Sequence, residues 1–329
     1  MSRSFQPSDE RSEVSVVVCT YNRAQLLNQA LLSILRQDTR GRRFEVVVVD
    51  DGSTDGTSQV VERLQRETTV SLRYIRQDNA GVGAARNRGI QETGAPWIAF
   101  MDDDEIASQR WLDTLLTTAE QTGADCVGGP YVLRAVGNHA ICPVGAVRRL
   151  LGENKYMSVP SSRLKLIDRL RGVSTQTNLP GGGDCLVRKS LIERLHGFRE
   201  LRYGEDLDLF RRARMSGAAF AVAHQAVVYH LVPPERLSLK YLCSLATRAG
   251  ASQAQLDLED EGSARPYVMV FLRAVHMFGQ TLPLLTWHWV MGNKAHAASR
   301  RCSAAFAIAY IRQILMPELA GEGKESHVR

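Results

Sequence analysis

Val14 to Cys19 is a nearly unbroken run of β-branched residues, and Leu26, Leu27, Ala30, Leu31, Ile34 and Leu35 follow it at helical spacing. A strand without polar alternation is buried on both faces, and a buried strand followed by an amphipathic helix is the repeating unit of a parallel sheet. The unit recurs. Phe44 to Val49 precedes a helix carrying Val60, Val61 and Leu64, Val70 to Arg76 precedes a helical stretch from Gly83 to Gln91, and Trp97 to Met101 precedes Trp111, Leu112, Leu115, Leu116 and Ala119. Strands alternating with helices predict an α/β fold with a Rossmann-like, mixed but mainly parallel sheet and helices on both faces.

Parallel strands share a direction, so the loops after their C-terminal ends gather along one edge, where open α/β sheets bind ligands. Here those loops are polar: Thr20-Tyr21-Asn22-Arg23, then Asp50 to Thr57, then Asn79 to Asn87. Ser53, Thr54, Gly56 and Thr57 read individually as turn and cap residues. The fourth strand opens into Asp102-Asp103-Asp104-Glu105. Four carboxylates in succession repel one another unless something positive lies between them. Mg2+ and Mn2+ take oxygen ligands and bridge protein carboxylates to phosphates, which makes a metal and a phosphorylated ligand one reading. An acidic helix N-terminus is the competing one.

Composition narrows the rest. The 329 residues suffice for one large α/β domain with an appendage, and a formal charge of +6 permits phosphate-bearing or anionic-membrane partners without indicating nucleic acid. The six cysteines, Cys19, Cys126, Cys142, Cys185, Cys243 and Cys302, are scattered without zinc-type spacing and read as reduced core residues of a cytoplasmic protein. The polar N-terminus has no apolar core of a secretory signal.

Five segments in order, Val14 to Arg23 (VSVVVCTYNR), Val49 to Thr57 (VDDGSTDGT), Asn79 to Asn87 (NAGVGAARN), Phe100 to Asp104 (FMDDD) and Gly204 to Asp208 (GEDLD), resemble the motif series of family 2 glycosyltransferases. The resemblance spans about two-thirds of the chain. It implies a GT-A fold, a nucleotide-diphosphate sugar donor, Mn2+ or Mg2+ as cofactor and inversion at the anomeric carbon. It puts the donor's base and ribose against Thr20, Tyr21, Arg23 and Asp51, with Asp50 beside them. Asp51 can accept from a uracil-type N–H, which prefers a UDP-type donor, and Tyr21 offers a stacking face. Gly81 and Arg86 fall in the next donor-side motif, Arg86 as a partner for diphosphate or ribose oxygens or else as a surface ion-pair residue.

The D-x-D pattern of the family carries over to the triplet, with Asp104 and Asp102 as metal ligands, Asp102 nearer the ribose, and Asp103 beside them on the nucleotide-sugar. An alternative register, Asp103-x-Glu105, also satisfies an acidic-x-acidic pattern. In Gly204 to Asp208 the resemblance makes Asp206 the general base that takes the acceptor hydroxyl's proton, with Glu205 orienting it or touching the acceptor. Arg211 lies on the same helix. Gly182, Gly183 and Asp184, in a Gly-rich turn, are acceptor-side residues by the same resemblance. Val227 to His230 reads as a strand, and His230 is either a third metal ligand of the kind GT-A enzymes recruit or an ordinary structural histidine.

Between Val127 and Leu179 the pattern loosens. Arg148, Arg149, Lys155, Arg163, Lys165, Arg169 and Arg171 stand against only Glu153 and Asp168. That is either a solvated basic face or a contact for anionic lipid headgroups or a phosphorylated acceptor. Beyond Pro233-Pro234 the chain turns helical. Ala274 to Gly292 is charge-free, but His276, Gln280, Pro283 and His288 make it polar for a bilayer span, so the C-terminal helices are expected to pack on the catalytic domain or lie on a membrane.

The expected organisation is a disordered tail over 1–13, a catalytic domain over 14–232 with a donor half, 14–127, and an acceptor half, 128–232, and a helical C-terminal region over 233–329. The expected activity is hexosyl transfer in polysaccharide biosynthesis, to a hydroxyl of a glycan or lipid-linked acceptor, by a cytoplasmic enzyme that is either free or peripheral on the inner face of the cell membrane. A nicotinamide oxidoreductase is rejected: its G-x-G-x-x-G belongs at the first strand-to-helix turn, which carries Thr-Tyr-Asn-Arg instead. A non-catalytic nucleotide-sugar or glycan-binding protein on the same scaffold is the alternative.

Overall fold

The computed structural model describes residues 12–136, 144–151, 182–201, 204–259 and 264–316. Most of the N-terminal tail, Cys142, Lys155 to Arg171 of the basic stretch, Gly181 and the segment from Glu318 to Arg329 lie outside the described residues. The chain divides into two compact units, Met1–Tyr131 with Lys155–Glu200 and Leu209–Tyr229, and Val132–Asn154 with Leu201–Asp208 and His230–Arg329.

In the first unit the sequence alternates as its pattern requires: β1 (Val14–Thr20), α1 (Ala24–Leu35), β2 (Phe44–Asp50), α2 (Thr57–Glu67), β3 (Ser71–Arg76), α3 (Val82–Gln91) and β4 (Trp97–Asp102). β5 (Glu105–Ala107), α4 (Trp111–Thr122) and β6 (Cys126–Gly128) follow, then β7 (Tyr131–Ala135), which leads into the second unit and its short α5 (Ala146–Leu150). β8 (Cys185–Arg188), α6 (Lys189–Arg194), α7 (Glu205–Met215) and β9 (Phe220–Val222) bring the chain to β10 (Val228–Val232). The main sheet has the order β3-β2-β1-β4-β8-β6-β9. β1 pairs parallel with β2 and β4, and β2 with β3, whereas β8 runs antiparallel to both β4 and β6, so the sheet is mixed and mainly parallel.

Both faces are covered. Because side chains alternate along a strand, Val14, Val16 and Val18 point into a core completed by Leu27, Leu31 and Ile34 of α1, Leu64 of α2 and Trp111 and Leu115 of α4. Val17 points the other way, against Ile90 of α3, Leu191 and Ile192 of α6 and Phe210 of α7. Each such buried aliphatic side chain contributes roughly 1.5–3 kcal/mol. Register sets the functional edge: Thr20 lies opposite Asp50, and Cys19 opposite Asp102. Glu13, expected in the tail, is anchored to the sheet's rim through its N–H to the Arg43 carbonyl (2.9 Å) and its carboxylate to Arg42 (3.3 Å).

The second unit is helical after β10, with a 3-10 turn (Pro234–Leu237), α8 (Leu239–Leu258), α9 (Arg265–His276), a π turn (Met277–Thr281), α10 (Leu282–Val290) and α11 (Lys294–Leu315). Leu242 and Ala246 of α8 meet Cys302 of α11 beside Val147 and Leu151. α8 and α11 approach so closely that a Cβ on Gly250 would lie 2.3 Å from the Phe306 carbonyl oxygen, which is backbone and cannot rotate away. Further along, Tyr310 donates to the buried Asp257 (2.8 Å). Gly250→Ala is therefore expected to lower stability by about 1–3 kcal/mol, the usual range for overpacking; thermal denaturation indistinguishable from wild type would contradict this close approach.

Candidate functional site

The edge loops are tied to one another before any ligand is considered. The Asp51 N–H donates to the Thr20 carbonyl (2.9 Å), the Asn22 N–H to Ser53 Oγ (2.9 Å), and the Thr54 N–H to Asn22 Oδ1 (2.8 Å). Gly52 sits at φ +86°, a left-handed conformation that favours glycine, and a Cβ there would press on the Asn79 nitrogen at 3.0 Å. Asp51 is buried, with Oδ1 accepting from Gln77 Nε2 (2.8 Å) and the Ala80 N–H (2.9 Å) and Oδ2 from the Gly81 N–H (2.8 Å). It thereby fixes the turn ahead of α3. Tyr21, half exposed, leaves a ring face open at the rim.

Asp50, the last residue of β2, has partners of its own. It is 1% exposed, accepts from the Ser53 N–H (2.8 Å) and from the Tyr74 hydroxyl, and is a loop anchor inside the fold; the structure corrects its expected place at the nucleotide surface.

The acidic run forms a turn between β4 and β5, and α4 begins only at Trp111, so the acidic helix-start reading does not hold. Its four side chains part ways. Asp103 turns inward, where Oδ2 accepts from Thr20 Oγ1 (2.8 Å) and Oδ1 from Arg23 Nη1 (2.8 Å). Burial raises its pKa from an ordinary 3.8 to about 6 against the opposing pull of the Arg23 charge. The same Arg23 nitrogen reaches Asp104 Oδ2 at 3.2 Å, so one guanidinium spans two carboxylates. Asp102, with its side chain 41% exposed, pairs with Arg86 Nη2 at 2.9 Å. Arg86 is buried, which sets aside its reading as a surface ion-pair residue, and it lies 5.4 Å from the Phe198 ring centre.

Glu105 completes the cluster and was not among the expected ligands; the alternative acidic-x-acidic register was the signal for it. It is buried, its Oε2 accepts from the Asp102 N–H (3.0 Å), and its pKa is pushed well above the ordinary value by burial and then by the charges of Asp102 and Asp104. Carboxylate oxygens of Asp102, Asp104 and Glu105 all lie within 4.8 Å of one another. Like charges about 4 Å apart at an effective dielectric near 20 repel by about 4 kcal/mol. Among the described residues Arg23 and Arg86 pair with three of these carboxylates, and the three clustered oxygen donors of Asp102, Asp104 and Glu105 suit Mg2+ or Mn2+.

Gly183 packs directly on this trio. A Cβ there would stand 2.6 Å from Glu105 Oε1 and 2.7 Å from Asp102 Oδ2, so a side chain at this position would displace two of the three carboxylates. Its N–H donates to the buried Tyr131 hydroxyl (2.9 Å). Gly182 is buried beside it. Asp184 does not face an acceptor: it is 0% exposed beneath Trp111, whose Nε1 donates to Oδ1 at 2.7 Å, while Oδ2 has no partner among the described residues. The turn that leads into β8 carries Asp184 away from the trio and into the core. Burial raises the Asp184 pKa from 3.8 to about 8.

α7 is counted partly in each unit, Glu205 to Asp208 with the second and Leu209 onward with the first. Of its three first-turn carboxylates Glu205 and Asp208 are buried and Asp206 is half-buried, its Oδ1 accepting from the Leu207 N–H (2.8 Å). Arg211 follows on the same helix, also half-buried. In the second unit His230 Nδ1 donates to the Leu151 carbonyl (2.8 Å), which leaves Nε2 as the nitrogen with a lone pair, 3.5 Å from Arg236 Nη1. Among the described residues the group able to share a cation consists of the three carboxylates, without a histidine.

The family model for glycosyl transferase family 2 matches residues 15–194. Glycosyltransferase AglE of Haloferax volcanii is 28% identical over 255 residues, 77% of this chain and 76% of that protein. Among solved structures, mannosyltransferase PcManGT from Pyrobaculum calidifontis, in complex with GDP-Man and Mn2+, is similar with a TM-score of 0.63 at 19% identity, covering 94% of this chain and 89% of its own. TarS 1-349 of S. aureus, in complex with UDP, is similar with a TM-score of 0.50 at 18% identity, covering 91% and 90%.

Asp184 yields a pH test. The native state retains a proton that the unfolded chain releases above about pH 4, so this group's contribution to stability is full below its ordinary 3.8 and is lost as pH rises through about 8. Asp184→Asn, measured in chelator, is expected to melt like wild type near pH 4 and to gain on it steadily up to pH 8. A difference between the two that does not vary with pH would overturn the assignment.

Proposed function

The chain belongs to glycosyltransferase family 2 and is a glycosyltransferase of GT-A fold, and on that premise we propose that it is an inverting, metal-assisted hexosyltransferase acting on a nucleotide-diphosphate sugar. The observation that carries the reading is the carboxylate trio of Asp102, Asp104 and Glu105 at the end of β4, beside Arg23 and Arg86 and backed by Gly183. Asp102 and Asp104 would hold the Mn2+ or Mg2+, with Glu105 and His230 as rival candidates for a third ligand. When bound, the cation supplies positive charge to the diphosphate leaving group.

The chain's own residues divide the remaining work. The open ring of Tyr21 stacks on the base and Asp51 accepts from it, which supports a UDP-type donor; guanine offers comparable donors and is the competing base. Gly81, at the head of α3, gives the ribose and phosphates close access to backbone N–H groups, with Thr20 and Asp103 steadying Arg23 beneath them. Arg86 and Arg23 face the phosphate oxygens and limit the repulsion between the donor and the acidic run. Asp206 is the general base, because it is the most exposed of the three first-turn carboxylates of α7. It takes the acceptor hydroxyl's proton as that oxygen attacks the anomeric carbon from the face opposite the leaving nucleoside diphosphate. Glu205 and Arg211 position it and the acceptor. The donor half is assigned to residues 14–127 and the acceptor half to 128–232, and the acceptor is a glycan or a lipid-linked saccharide met at the inner face of the cell membrane.

Two substitutions separate the roles. Asp206→Asn is expected to keep Mn2+-dependent nucleoside-diphosphate binding by calorimetry across UDP, GDP, CDP and dTDP, and to lose transfer by at least about a hundredfold. Asp104→Ala is expected to weaken that binding in Mn2+ and to change it little in EDTA. Transfer at the wild-type rate by the first variant would refute the base, and equal loss in both buffers by the second would refute ligation.

A further inference from the structure

The second unit carries a surface that the transfer chemistry does not use. From Pro266 to Val290 the chain runs through α9, the π turn and α10 as one helix of 25 residues, long and apolar enough to cross a membrane. One flank of it packs along α11 inside the same unit, so lipid could not surround it. The other flank is open. Tyr267, Phe271, Val275 and Phe278 are exposed and follow one another at i+4, i+4 and i+3, the spacing of a single helical stripe. Trp287 and Trp289 stand 60% and 68% exposed near its end. Arg273, the one charged residue between Pro266 and Val290, is turned inward over the rings of Phe306 and Tyr310, 4.8 and 4.2 Å from their centres. The outward stripe is therefore left without charge, which a soluble monomer rarely tolerates over such a length.

Charge identifies the occupant. Residues 264–316 contain six Lys and Arg and no Asp or Glu, in a chain whose formal charge is +6. The rest of the molecule is thus balanced, and this stretch carries the equivalent of the whole excess. Lys294 and Arg301 of α11 are exposed one heptad apart, on one side of that helix. A partner protein's apolar groove would account for the stripe but not for the exposed Lys294 and Arg301 beyond its end, in a stretch from 264 to 316 that carries no carboxylate of its own. Lipid accounts for both: aromatic rings settle at the headgroup level, and basic side chains meet lipid phosphates.

We propose that this face of the helical unit lies on an anionic bilayer, with the Tyr267–Phe278 stripe in the interfacial layer and Lys294 and Arg301 at the phosphates. The helix rests in the surface with its inner flank on α11 and does not span. The inference stands on the surface alone and does not require the donor or base assignments.

The test is co-sedimentation of the full chain with vesicles of phosphatidylcholine alone and of equimolar phosphatidylglycerol and phosphatidylcholine, alongside lipid-free light scattering. Wild type is expected to partition to the anionic vesicles, to be released by high salt, and to bind the neutral ones weakly. The pair Phe271→Ser with Phe278→Ser, and separately the pair Lys294→Glu with Arg301→Glu, are each expected to lower partitioning roughly tenfold or more, with melting temperature and nucleoside-diphosphate binding unchanged. Because these side chains are exposed, the charge pair keeps the test valid if the serine pair misfolds. Equal binding to both vesicle types, or no effect of the charge pair, would overturn the proposal. So would a lipid-free dimer that Phe271→Ser dissociates, which would make the face a self-association surface.

Discussion

Everything at the sheet's functional edge answers to one electrostatic constraint: four successive carboxylates held at the mouth of β4. Left to themselves they would repel by several kcal/mol in a setting this poorly solvated. The chain meets part of that cost with Arg23, which spans Asp103 and Asp104, and Arg86, which pairs with Asp102. It meets another part by burial that favours the protonated forms of Asp103 and Glu105. A divalent cation bound at the trio of Asp102, Asp104 and Glu105 would lower that repulsion further. The folds around it serve this arrangement. Thr20 lies in register with Asp50 across the sheet, Asp51 pins the turn ahead of α3, and Gly183 leaves room for the carboxylates where any side chain would not.

The helical unit obeys a different constraint. Its interior is drawn tight where Gly250 lets α8 and α11 meet and where Tyr310 caps the buried Asp257, yet one helix flank is left apolar and open. Were the open flank to rest on a bilayer as proposed, the tight inner packing would fix the angle at which the rest of the unit is presented. Arg273 shows the sorting at a single residue: its charge is placed over two aromatic rings inside the unit, clear of the outer stripe.

Much of the fold could be read from hydrophobic period. Unbroken β-branched runs alternating with helical spacing have few solutions other than a covered, mainly parallel sheet, and the strands over Val14–Thr20, Phe44–Asp50 and Trp97–Asp102 agree with that reading. The site was legible as a cluster and illegible in its details. Asp50 and Asp51 are adjacent, and so are Gly183 and Asp184; in each pair one member serves the edge and the other is turned into the core. Composition cannot say which, because the answer depends on pleat and register. Within the acidic run a tight turn and the short strand β5 decide that Glu105 joins the trio while Asp103 folds back on Thr20. The antiparallel entry of β8 was equally hidden, since it depends on residues far apart in the chain that happen to pair.

The most direct test of the central claim is anomalous scattering at the manganese edge from crystals grown with Mn2+ and a nucleoside diphosphate. The account predicts a single strong peak among the carboxylates of Asp102, Asp104 and Glu105, with diphosphate oxygens against it. A well-ordered nucleoside diphosphate bound with no anomalous peak at that trio, or with the metal held elsewhere, would contradict it.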